Sequence, residues 1–179
     1  MICHLCELPL DQAVVDAAAG NRPITRQAAV GGRTLRIWAA PIDITYGGWG
    51  QDGHIAYNQA RRHPYSRVGV EDLARSTIRI QENNWDTVLA LAQRTFGTAW
   101  QFVPPLSVTL GIRECLSASK VRLFSDTGAW KQTALRVALF SPPTAEYPLT
   151  LLQDHPDTLL TATVETARHP IGEHPEWDL

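Results

Sequence analysis

The chain has little of what usually announces a function. Of its 179 residues only three are cysteine, one is methionine, and just two of the 16 basic residues are lysine. A small, odd number of thiols argues against the disulfide framework of a secreted domain. No stretch approaches the roughly 18 consecutive apolar residues of a membrane helix, and no basic leader with an apolar run opens the chain, so a cytoplasmic protein is expected. The two lysines, Lys120 and Lys131, follow Ser119 and Trp130, which rules out a Gly-Lys-Ser/Thr phosphate loop. A Gly-x-Ser-x-Gly elbow and a His-Glu-x-x-His zinc helix are missing too. Internal repeats and low-complexity tracts are likewise absent.

What is present suits one ordinary domain. Hydrophobic residues make up 44% and charged residues 19%, enough apolar surface to offset the ordering entropy of folding. Charge is unevenly spread: residues 1–140 carry 15 basic and 11 acidic side chains, whereas residues 141–179 carry one and seven. The expected organisation is therefore an α+β core domain over 1–140 with an acidic C-terminal hairpin or tail, 141–179, on or extending from it.

Periodicity supplies the elements. Helical spacing predicts helices at 9–19 and at 84–96, the second through Trp85, Val88, Leu89, Ala92 and Phe96, with Asn84 as cap and Gly97 as stop. Alternation predicts a strand pair at about 26–39 turning at Gly31-Gly32, and strands at 42–46, 76–81, 106–112 and 120–124. Residues 133–140 fit a strand or a helix, and 148–152 with 158–166 read as a hairpin. Because strands cluster with few helices between them, the fold class expected is α+β: a mostly antiparallel or mixed sheet with three or four helices packed on it.

Three segments carry candidate chemistry. Gly48-Trp49-Gly50-Gln51-Asp52-Gly53 follows a predicted strand, precedes a short helix expected at 54–62, and resembles a dinucleotide-binding fingerprint. That resemblance implies cofactor contacts at Gly48, Gly50 and Gly53, with Glu82 toward a ribose. Cys3 and Cys6 have the spacing for two thiolates on one tetrahedral ion, so a bound zinc is one reading and simply packed thiols the other. His54, two residues after Asp52, is the histidine with a carboxylate nearby in sequence and the candidate general base.

The densest segment is 46–67, where Tyr46, Trp49, Tyr57 and Tyr65 interleave with Arg61, Arg62 and Arg67, and Arg75 and Arg79 extend the basic stretch. Flat rings among guanidinium groups form a binding surface for an acidic protein or for nucleic acid. The expectation is a small non-catalytic binding or adaptor protein with a macromolecular partner. The rival is an enzyme using the Gly48–Gly53 loop for a nucleotide, or His54 as a base.

Overall fold

The computed structural model describes residues 28–30, 33–35, 42–61 and 67–174. Two strands open it, β1 (Ala28–Val30) and β2 (Arg33–Leu35), paired antiparallel with Ala28 opposite Leu35. The predicted turn at Gly31-Gly32 and the predicted helix at 9–19 lie outside the described residues.

Among the described residues the main sheet has three strands, β3 (Ile44–Gly47), β6 (Lys120–Ser125) and β7 (Thr158–Ala162), in the order β3-β6-β7. Both pairings are parallel, with Ile44 opposite Lys120 and Val121 opposite Thr158. A second small sheet pairs β4 (Arg79–Glu82) with β5 (Leu106–Thr109) antiparallel. The fold is thus mixed α+β, and the mostly antiparallel sheet is corrected: the central strands run parallel. The expected hairpin of 148–152 with 158–166 is replaced by a 3₁₀ helix, Pro148–Asp154, and by β7, which pairs with β6.

Alternation along β6 explains how the sheet packs. Val121, Leu123 and Ser125 are buried, while Lys120 and Phe124 face outward. Val121 and Leu123 join a core with Trp49, Ile55, Ile112, Ala134, Leu135, Ala138 and Leu149. Helix α4 (Gln132–Phe140) resolves the strand-or-helix ambiguity at 133–140, since Ala134, Leu135 and Ala138 form its buried stripe. On the outer face Ile44, Tyr46 and Leu159 are each about half exposed.

Among the described residues five more α-helices are short or peripheral: α1 (Val70–Ala74), α2 (Trp85–Thr95), α3 (Ile112–Leu116), α5 (Val164–Ala167) and α6 (Pro170–Glu173). Helix α2 matches the expected 84–96 span, but Trp85 and Leu89 are exposed and Ala92 lies inside. Asn84 does not cap with its side chain. Its amide donates instead to the Ala60 carbonyl, and its backbone N–H donates to Gln59 Oε1. These bonds fasten α2 to the segment after β3.

Candidate active site

Parallel strands present their carboxyl ends on one side, which is where open α/β sheets bind ligands. The loop after β3 begins at Gly48 and the loop after β6 runs from Asp126 to Lys131, so both open at that edge. The first folds tightly on itself: Gly50 N–H donates to the His54 carbonyl and Gly53 N–H to the Gly50 carbonyl. Gly53 has φ +74°, a conformation that L side chains rarely adopt, and its carbonyl accepts from Leu149 N–H. No helix follows. Residues 54–61 form turns and isolated bridges, Trp49 with Ile55 and Ile55 with Asn58.

The helix expected at 54–62 is therefore absent over the described residues 54–61. Glu82 ends β4, an antiparallel strand of the other sheet, and so does not stand at the end of a neighbouring parallel strand. The Gly48–Gly53 loop does different work here: it presents an imidazole. His54 Nδ1 lies 2.6 Å from Asp52 Oδ1, and the His54 ring stacks on Tyr57 at 5.8 Å between centroids. Asp52 is buried, and its Oδ2 has no hydrogen-bond partner. Burial pushes the Asp52 carboxyl up, but the hydrogen bond and charge of His54 outweigh it and hold the group below the usual carboxylate range. A carboxylate on Nδ1 fixes the ring and leaves Nε2 to exchange protons with a ligand.

Distant residues steady this loop. Asn58, fully buried, donates through Nδ2 to the carbonyls of Ile55 and Leu110. Tyr57 N–H donates to Thr109 Oγ1, and Gln51 Nε2 to the Asp86 carbonyl in the first turn of α2. His54 then lines a cavity of about 190 Å³ between this loop, α2 and the end of the 126–131 loop; Trp49, Asp86, Arg94, Trp130 and Lys131 share its wall. A larger space of about 520 Å³, mostly apolar, meets the same Trp49, His54 and Tyr57.

Two cations, Arg94 and Lys131, line the smaller cavity, and Lys131 is the buried one. It is 7% exposed, and among the described residues its ammonium makes neither a hydrogen bond nor an ion pair. Burial and then Arg94 depress its proton affinity, while Asp126 opposes them. Thr166 of α5 holds the loop that carries it, donating to the Gly128 carbonyl. The sequence reading missed both Lys131 and Arg94. The available signal was a Ser-Asp-Thr-Gly turn directly after an alternating strand, informative only once that strand is known to be parallel.

The expected partner-binding surface is dispersed. Tyr46 packs on Phe124 at 4.9 Å on the outer sheet face, Trp49 is buried in the core, and Tyr57 lies on His54. Arg61, Arg67, Arg75 and Arg79 line a different cavity of about 370 Å³ that none of these rings enters. Arg79 is itself buried and donates to the Thr77 carbonyl and to Gln81 Oε1; burial, and then Arg61 beside it, lower its pKa to about 10. Arg62 and Tyr65 lie outside the described residues, as do Cys3 and Cys6, the candidate zinc ligands. Among the described residues no group of three or more His, Cys, Asp or Glu side chains stands ready to hold a metal ion.

Comparison with known proteins gives a consistent class. No family model matches the chain. It is 32% identical over 133 residues to a glucosamine-6-phosphate deaminase of Lactobacillus johnsonii, spanning 74% of this chain and 50% of that protein. It is 30% identical over 129 residues to the enzyme of that name from Hahella chejuensis, spanning 72% and 44%, and 35% identical over 122 residues to that of Shewanella loihica, spanning 68% and 41%. A solved monomeric glucosamine-6-phosphate deaminase, described as a missing link of the NagB superfamily, superposes with a TM-score of 0.58 at 26% identity, over 70% of this chain and 46% of that one. The chain spans about half the length of the curated relatives it matches.

These relatives are enzymes named for a small-molecule substrate. That finding overturns the expected non-catalytic adaptor with a protein or nucleic-acid partner, and the physical reason is that the rings lie apart from the cavity the arginines line. No helix among the described residues is long and apolar enough to cross a membrane.

Proposed function

We propose that the cavity shared by His54, Arg94 and Lys131 binds a phosphorylated amino sugar, and that His54 moves protons during release of the amino group. The observation that carries this reading is the His54–Asp52 contact at 2.6 Å in the wall of a cavity that also holds an unpaired, buried lysine. An amine leaves carbon readily only when protonated, and an imidazole can both give and take a proton near neutral pH. Lys131 and Arg94 supply fixed positive charge for a phosphate, with guanidinium and ammonium donors of the kind that phosphate oxygens accept. The names of the relatives, which join an amino sugar, a phosphate and deamination, support the same assignment.

Within this proposal the Gly48, Gly50 and Gly53 positions shape the His54 loop. The 1–140 and 141–179 segments are proposed to form one domain, a reading supported by the pairing of β7 from the second with β6 from the first. The setting proposed is the cytoplasm, where a charged sugar phosphate is retained.

The test is ammonia release from glucosamine 6-phosphate by the purified chain, with calorimetric titration of glucosamine 6-phosphate and of glucosamine alongside. The phosphorylated sugar should bind more tightly, and His54→Gln should lower kcat by about 100-fold or more. Equal affinity for the two sugars together with no ammonia release would overturn the proposal.

A further inference from the structure

The cations of the site are arranged around indoles. Lys131 Nζ lies 5.6 Å from the centroid of the Trp49 ring and 5.0 Å from that of Trp130, and the Arg94 guanidinium carbon lies 5.2 Å from the Trp130 ring. Trp130 therefore serves two positive side chains at once. Its own orientation is set by a hydrogen bond from Nε1 to the Thr127 carbonyl. Two like charges beside a partly dry cavity repel, and burial alone favours loss of the Lys131 proton.

A protein can stabilise such an ammonium in two ways. A carboxylate does it strongly but occupies N–H donors and cancels the charge that an anionic ligand needs. An aromatic face does it through its quadrupole and leaves the donors available. This cavity takes the second course: among the described residues Lys131 has no ion pair, and Asp126 acts on it through its charge without a hydrogen bond. We infer that Trp130, with Trp49, is a positioning residue that keeps Lys131 charged beside Arg94 with its N–H donors free, and so sets the site's preference for a dianionic phosphate. This rests on the phosphate-binding reading above and names the device that makes it selective.

Inorganic phosphate and glucosamine 6-phosphate serve as probes, titrated calorimetrically into the full chain from pH 6 to pH 10. Lys131→Met should abolish measurable phosphate binding; if it binds phosphate like the parent protein, the phosphate reading itself fails. Given that loss, Trp130→Leu should weaken phosphate binding roughly tenfold, and Trp130→Phe should recover most of it. In Trp130→Leu the alkaline limb of the affinity profile should also move to lower pH. The other charged groups around Lys131 are unchanged between these proteins: Asp86 and Arg94 from α2, His54 from the β3 loop and Asp126 from its own loop. A merely structural indole would not shift that limb. Should the Leu variant not fold, Trp130→Gln carries the same expectation. Parent-like affinity in a folded Leu or Gln variant, or equal losses with Phe and Leu, would overturn the inference while leaving the phosphate reading in place.

Discussion

Gly50 lies flat against the imidazole of His54, so close that a methyl group at its Cα would overlap the ring. The same residue ties the loop shut by donating to the His54 carbonyl at 3.0 Å. Backbone and ring are thus set by one contact.

Gly50→Ala should consequently move the His54 ring off Asp52 without dismantling the sheet. Since a displacement of about 1 Å can cost on the order of 100-fold in rate, the ammonia release proposed above should fall by about that factor while the melting temperature drops only modestly. A fully active Gly50→Ala protein would show that the ring position is not critical.

Asp52 links the site to acid stability. Its folded-state carboxyl is held below the ordinary value of about 3.9 despite burial. The sign follows from a depressed carboxylate: the stabilisation is present above the unfolded value and is lost as pH falls through the folded one. Asp52→Asn should therefore be less stable than the parent at pH 7, and the gap should close below about pH 3.9. Denaturant titrations across that range measure it, and a gap that widens toward acid would contradict the contact.

Lys131→Met separates binding from folding. Burial lowers the proton affinity of this lysine, so below its folded value the group carries a desolvation penalty, relieved as pH rises toward the unfolded value. Removing the charge should leave the melting temperature at pH 7 equal or higher, while the proposed phosphate affinity collapses. A large loss of stability would instead make Lys131 a structural residue.

Asn58 holds the loop from below. Asn58→Ala leaves the buried carbonyls of Ile55 and Leu110 without this donor. The expected cost is about 2 to 4 kcal/mol of unfolding free energy. Chemical denaturation measures it, and a change under about 0.5 kcal/mol would mean that water replaces the amide at little cost.

Much of the local structure is legible in the chain. Helix α2, the alternation of β6 and the proximity of His54 to a carboxylate all follow from neighbours a few positions apart. The helix at 132–140 was ambiguous because Leu135, Val137 and Leu139 alternate like a strand, while Ala134 and Ala138 mark the true buried stripe. Alanine is a weak hydrophobic signal, so the period of two looked as strong as that of 3.6.

What the amino acids determined by themselves were the short-range facts: where several segments are extended or helical, and that a carboxylate, Asp52, stands two positions before His54. Tertiary structure decided the rest. Strand direction depends on which distant segment supplies the hydrogen-bonding edge, and only the parallel pairing of β3 with β6 puts their two following loops at one end of the sheet. That pairing carries Lys131 across 77 positions of chain to the cavity of His54. It also turns Tyr46 outward and Trp49 inward, because side chains on a pleated strand and its exit loop face whichever way the sheet's buried side requires.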